Sequence, residues 1–143
     1  MKLGGKTLQI CDCEGTIPLD WAALARALTA AGASGESLEL HTHLCRSQIA
    51  RFQAAAAGEE PLLVGSTQEA PLFAELLDEA RGDAAEDSVR FFNIRENAGW
   101  SEGADATAIA PKIAALAADA SVDVSPTISV AMKSEGVCLV YGV

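Results

Sequence analysis

An α/β protein with a mostly parallel sheet is what this sequence predicts, and three observations carry the prediction. Short β-branched and apolar runs alternate with stretches of helical periodicity along the chain. Alanine runs ("AAAAG", "IAALAADA") and abundant leucine favour helix-rich packing over an all-β fold. Half of the 143 residues are apolar, so a single domain of this length can build a core without disulfide staples. Strands separated by helices pair in parallel, with crossover helices lying on both faces of the sheet. The expected architecture is three-layered, a Rossmann-like or flavodoxin-like sheet of about five strands.

The elements follow in order. "TLQIC" (7–11) reads as the first strand. Asp20 can cap the first helix, with Trp21, Leu24, Ala25 and Leu28 on one face and Gly32 as its stop. A short strand is expected over 37–41. Thr42 is then a candidate cap for a second helix whose inner face is Cys45, Ile49, Phe52 and Ala56. "PLLVG" (61–65) is the third strand. Ser66 and Glu69 have capping-box spacing ahead of a third helix that buries Phe73, Leu76, Leu77 and Ala80. "GDAAED" (82–87) is a polar connector, and "SVRFFNI" (88–94) is the fourth strand. A fourth helix lies within 105–120, with Ile109, Ile113, Leu116 and Ala117 inward. Pro111 either sits in its first turn or kinks it. Residues 1–120 therefore read as one α/β domain with cysteine-bearing βα loops. Residues 121–143 read as a linker and a further strand, "GVCLVYGV", which either closes the sheet or opens a following domain.

Charge removes some function classes. Twenty acidic against ten basic residues give a formal net charge of −10. That opposes binding to nucleic acid, which needs basic patches to neutralise phosphates, and binding to an anionic membrane surface. No run of about 18 apolar residues offers a membrane span. "MKLGGKTLQI" has no apolar signal-peptide core, so the expected location is the cytoplasm. Cytoplasmic cysteines are more often ligands or reactive groups than disulfides.

The unusual chemistry is unevenly placed. In a parallel sheet, functional residues collect beyond the carboxyl ends of the strands. The four βα turns are "CDCEGT", "HTHLCRS", "GSTQEA" and "NIRENAGWS". They hold three of the four cysteines, both histidines and one of the two tryptophans. If the strand stays extended through residue 13, Cys11 and Cys13 point the same way and Asp12 the other. Cys45, three residues into a helix, gains from the helix dipole as a thiolate. Placing the first two strands side by side brings Cys11, Cys13, Cys45 and His43 together. Such a set can hold one metal ion or the corners of a cluster. A zinc site of three cysteines plus His43 is one reading. A thiol redox pair at Cys11 and Cys13 is another, and a metal-free α/β interaction domain with buried cysteines is a third. Cys138, between Val137 and Leu139, reads as a core residue and His41 as a surface strand end. Arg95 and Glu96 read as a loop ion pair or as support for the site, and Trp100 as a lid on the core. No Walker loop, G-x-G-x-x-G or G-x-S-x-G occurs.

"QICDCEGTI", "HLCRSQ" and "FFNIRENAGWS", in that order, resemble the N-terminal domain of the heterodisulfide reductase A subunit and its bacterial ferredoxin-like relatives. That domain opens on a strand ending in C-x-C-G, has a mid-domain cysteine at a helix start, and later carries a motif like N-I-R-E-Q-C-S-W. The resemblance covers about residues 7–120, and "NIREN-x-x-W" is its most specific part. It implies a 4Fe-4S cluster, with Cys11, Cys13 and Cys45 at the family's cysteine positions. It also implies an electron-transfer role beside a redox partner protein or following flavin- or ferredoxin-type domains of the same polypeptide. This chain departs from the pattern at Ala98, where the family has cysteine, and at Glu14, inserted before Gly15. A cluster would then need His43, Asp12, a partner's ligand or an open iron site besides the three cysteines; alternatively the site has lost its cluster and persists as a docking or scaffold domain.

Overall fold

The computed structural model describes residues 1–143 except 36, 67, 83–87, 126, 127, 134, 135, 137 and 143. The chain runs β1 (Lys2–Leu3), β2 (Lys6–Cys11), α1 (Trp21–Ala30), β3 (Leu40–His41), α2 (Ile49–Ala56), β4 (Leu62–Gly65), α3 (Ala70–Arg81), β5 (Val89–Phe91), a π-helical turn (Arg95–Gly99) and α4 (Ile109–Ser121). The result is an α/β protein with a five-strand mixed sheet, parallel except for β1. β2 is its centre. β4 pairs along one edge, from Thr7 to Ile10 of β2, and β5 pairs outside β4. The other edge of β2 is shared. β1 returns antiparallel on Lys6 and Thr7, while β3 pairs in parallel with Ile10 and Cys11.

Two buried clusters take alternate residues of the same strands, as a pleated strand requires. Leu8 and Ile10 of β2 and Leu63 of β4 pack with Leu24 and Leu28 of α1 and with Ile109, Ile113 and Ala117 of α4. Cys11 of β2 and Leu62 and Val64 of β4 pack with Phe52 and Ala56 of α2 and with Phe73 and Leu77 of α3. Lys6 shares the parity of Leu8 and Ile10, so its side chain is buried toward α4. Its Nζ donates to the Ser121 carbonyl (2.9 Å) and pairs with Asp123 (2.6 Å), pinning the end of that helix. Arg81, at the end of α3, donates to the carbonyls of Ala55, Ala56 and Glu60 and so satisfies the open carbonyl end of α2.

Several expectations hold in detail. The Asp20 carboxylate accepts from the Ala23 amide (2.9 Å) and caps α1. Pro111 falls in the first turn of α4, where its missing N–H has no helical partner to lose. Asp105 accepts from the Thr107 and Ala108 amides (2.9 Å each), so the cap lies ahead of the helix proper.

Others are corrected. The "LGGK" hairpin that makes β1 was not foreseen; Gly4 and Gly5 both take positive φ, the conformation a two-residue hairpin loop demands. α2 starts at Ile49, well after Thr42, because the intervening residues form turns of their own. The Ser66/Glu69 capping box does not form, and α3 starts at Ala70 with no side-chain cap. Ala80 is exposed, since α3 turns only Phe73 and Leu77 fully inward. The described residues of "GVCLVYGV", Gly136 and 138–142, form no strand and are exposed, Cys138 among them; Val137 and Val143 lie outside the described residues. So do residues 83–87 of the polar connector. No helix among the described residues is long and apolar enough to cross a membrane.

His41 is the sharpest reversal. It is wholly buried, and neither ring nitrogen has a hydrogen-bond partner among the described residues. Its parallel register with Cys11 turns it to the sheet face that α2 covers. Burial disfavours the imidazolium and lowers its pKa; Glu39 opposes this and Arg51 adds to it. The ring is therefore held neutral, while in the unfolded chain it titrates near about 6.5. The unfolded state binds the proton more readily, so stability is full above that value and falls as pH drops below it. We expect the urea midpoint to decline below about pH 6.5 and His41→Leu to flatten that decline. An unchanged slope in His41→Leu would show that other groups set it.

Candidate functional site

A cleft of about 140 Å³ opens at the carboxyl ends of β2, β3 and β4. It lies where the chain reverses direction across the sheet, running from β2 to β3 on one side and then to β4 on the other. All four βα segments reach it. Cys11, Cys13 and Glu14 come from the first, Thr42 to Arg46 from the second, Ser66, Gln68 and Glu69 from the third, and Arg95 from the fourth. Phe73 of α3 also lines it. Cys11, Cys13, His43 and Cys45, singled out from the sequence, thus share one cavity.

The first segment does not continue the strand. Extended structure stops at Cys11, and Cys13, Glu14 and Gly15 take φ of 52°, 64° and 73°. A left-handed residue with a Cβ costs roughly 1–2 kcal/mol, and two of these three carry one. The turn is held by its own hydrogen bonds. Gly15 N donates to Asp12 Oδ1 (3.0 Å), Thr16 Oγ1 to the Cys13 carbonyl (2.7 Å) and Ile17 N to the Asp12 carbonyl (3.0 Å). It also runs beside the segment after β3, since Asp12 N donates to the His41 carbonyl (2.9 Å) and Glu14 N to that of Thr42 (2.8 Å). Pleat alternation therefore does not set the relation of the two thiols. The left-handed turn does, and it directs the Cys13 amide at the Cys11 sulfur (3.4 Å).

That arrangement separates the two acidities. The Cys13 thiol bond lowers Cys11 to about 6 against its own burial, with help from the Leu44 and Cys13 amides. Cys13, as the donor, is pushed far up, and burial pushes it further; only Arg95 pulls it down. The two thiols titrate together, with Cys11 lowered and Cys13 raised.

The second segment is organised by Gln48 rather than by a helix start. The Gln48 Oε1 accepts from the amides of Thr42 (2.8 Å) and His43 (2.9 Å), and the Arg46 and Gln48 amides close turns onto the His43 carbonyl (3.0 Å each). Leu44 is driven into the core by the same turns. Cys45 thus lies ahead of α2 and not within its first turn. Its thiol is raised, first by burial and then by Glu69 and Cys11, which reverses the expectation of a helix-stabilised thiolate. His43 Nε2 lies 3.3 Å from Glu14 Oε1 across the rim.

The fourth segment explains the residues of "NIRENAGW". Asn93 Oδ1 accepts from the Arg95 and Glu96 amides (3.0 and 3.1 Å) and starts the π-helical turn. Ile94 and Ala98 are core residues. Gly99 lies against Ile17, and a Cβ there would stand 2.4 Å from Ile17 Cγ2. Arg95 lines the cleft with its guanidinium 3.7 Å from the centre of the Trp100 ring and its Nη1 on Gln68 Oε1. Its Nε is 3.7 Å from Glu96 Oε1, the loop ion pair expected from the sequence. Trp100 is half exposed, a stacking partner for Arg95 more than a lid on the core. Gln48, Gln68 and Phe73 were not foreseen at the site. Their sequence signals are ordinary, and only the fold brings them there.

Three thiols and an imidazole suit a soft metal or a cluster in kind, and the amide aimed at Cys11 suits a ligating thiolate. As placed, the side chains flank the cleft without converging. Among the described residues no three His, Cys, Asp or Glu are grouped so as to hold a metal ion. Ala98 is wholly buried in the cluster beneath α1 and α4, away from the cleft. Comparison of the chain with protein-family models, with curated proteins and with solved structures finds no match in any of the three.

Proposed function

We propose that this chain is an iron–sulfur-associated electron-transfer module of a larger oxidoreductase, with Cys11, Cys13 and Cys45 as the thiolate side chains for a 4Fe-4S cluster and His43 beside them. The single observation that carries this reading is the shared cleft. Two segments separated by β3 and α1 bring three cysteines and a histidine to one cavity at the strand reversal of a parallel sheet. A bound cluster supplies one-electron transfer. The chain's own residues supply thiolate donors, the amide hydrogen bond to Cys11 and a nearby guanidinium at Arg95, all of which stabilise negative charge on sulfur.

The same reading takes the sheet as three-layered and flavodoxin-like. It is supported by the parallel order β3-β2-β4-β5 and by the two clusters on alternate residues of the same strands. It takes the module to work in the cytoplasm, as residues 1–120, against a redox partner or following domains. The exposed apolar side chains of 121–143, such as Ile128, Met132, Leu139 and Tyr141, are of the kind that such contacts cover.

The test is composition. Protein prepared without oxygen should carry iron and acid-labile sulfide, with a broad absorption near about 400 nm, and Cys11→Ser should remove both. Colourless protein after reconstitution with iron and sulfide would overturn the reading. Zinc at one equivalent without sulfide would replace it with a structural zinc site.

A further inference from the structure

We propose that, in the metal-free protein, Cys11 and Cys13 form a reversible dithiol–disulfide couple that exchanges with low-molecular-weight disulfides entering the cleft. This activity goes beyond electron transfer through a bound cluster and does not depend on one.

Covalent reach is guaranteed by the sequence. Two residues apart, the Cα atoms cannot separate by more than about 7 Å, and disulfides span about 4.4–6.8 Å. Reach alone is common to every C-x-C. The left-handed turn at Cys13, Glu14 and Gly15 adds the orientation. An extended chain would leave the two thiols side by side with no reason to touch. Here the Cys13 amide donates to the Cys11 sulfur (3.4 Å), so the Cys11 side chain is folded back toward residue 13. Four hydrogen bonds hold that strained turn, from Gly15, Thr16 Oγ1, Ile17 and Glu14. Non-glycine residues kept at positive φ occur where the surrounding structure enforces a functional geometry. Cys11, itself buried, and the half-buried Cys13 both line the cleft, which opens to solvent. Cys45 lines the same cleft as a third thiol but is not hydrogen-bonded to either.

The exchange balances as follows. The Cys11 thiolate attacks one sulfur of a disulfide RSSR; the Cys11–S bond forms, the S–S bond breaks, and RS⁻ leaves. Cys13 then loses its proton to RS⁻ and attacks the Cys11 sulfur. The Cys11–Cys13 bond forms and the second RS⁻ leaves, taking a proton from solvent. Two electrons pass from the protein dithiol to RSSR, giving two RSH.

The experiment uses the full chain, stripped of metal, fully reduced, and equilibrated with glutathione and glutathione disulfide. Free thiols are then blocked with N-ethylmaleimide and the peptides are weighed. The expected result is loss of two blockable thiols and two hydrogen atoms from the peptide holding Cys11 and Cys13. Exposed Cys138 serves as the reference thiol and takes glutathione or the blocking group. Cys45→Ser should leave the bridge intact, and Cys13→Ser should stop the reaction at a glutathione adduct on Cys11. Recovery of Cys11 and Cys13 both blocked, under conditions where Cys138 carries glutathione, would overturn the proposal. So would a bridge from either one to Cys45. Failure of the cluster reading is seen separately, as missing iron and sulfide, and leaves this result untouched.

Discussion

Replacing Phe73 by alanine is expected to lower the unfolding free energy by about 3–5 kcal/mol, the usual loss for a buried phenylalanine. The ring is wholly buried and packs at 45° against Phe52, with centroids 4.5 Å apart. These two rings join α2 to α3 over Cys11, Leu62 and Val64. Domains are stable by about 5–15 kcal/mol, so one truncation would remove about a fifth or more of the total. Phe73 also lines the cleft, and its loss would open the floor beneath Cys11 and Cys45. Urea unfolding gives the first effect; faster alkylation of Cys45 gives the second. Phe73→Leu should retain most of the stability. A double-mutant cycle with Phe52→Leu should return a coupling of about 0.5–1.5 kcal/mol for the aromatic pair. A loss under about 1 kcal/mol for Phe73→Ala would mean that this site collapses freely, contrary to close packing.

Gly99→Ala is expected to cost about 1–3 kcal/mol through overpacking, although it adds a single methyl group. That methyl would meet Ile17 Cγ2 at 2.4 Å and Ile17 Cβ and Cγ1 at 3.1 Å. Ile17 is wholly buried and β-branched, so its side chain has little rotamer freedom with which to give way. The π-helical turn must move instead, and Arg95 begins that turn. The variant should therefore lose the Arg95–Trp100 stacking as well as stability, seen as a change in Trp100 fluorescence. Combining Gly99→Ala with Ile17→Ala should cost less than the sum of the two single changes, because the second removes the atoms that clash. Strict additivity would show that the contact is not the cause.

Much of the fold could be read from local pattern. The spacing of Leu24 and Leu28, of Phe52 and Ala56, of Phe73 and Leu77, and of Ile113 and Ala117 placed the inner faces of four helices. The apolar runs at 7–11 and 61–65 placed the two central strands. These signals are strong because one side of an element must face the core, and the 3.6- and 2-residue periods record which side. The capping expectations divided. Asp20 caps by accepting from the Ala23 amide, whereas Gln48, six residues on in sequence, binds the Thr42 and His43 amides and α2 starts only at Ile49. A turn closed by a side chain six residues away has no signature in the local helical period.

Placement of Cys13, His43, Cys45 and Arg95 beyond the strand ends was determined by the sequence itself, because alternation of strand and helix commits the βα turns of a parallel sheet to one edge. The tertiary structure decided the rest. It bent Cys13 back onto Cys11 through a left-handed turn stitched to the segment after β3. It buried His41 by pairing β3 with the end of β2, and it kept Cys45 out of the helix that periodicity assigned to it. It sent Ala98 into the core beneath α1 and α4, away from the cleft lining. Each of these outcomes depends on which chain segments lie beside one another at β2. That is a matter of long-range pairing and of hydrogen bonds between distant loops, and a local period carries no record of either.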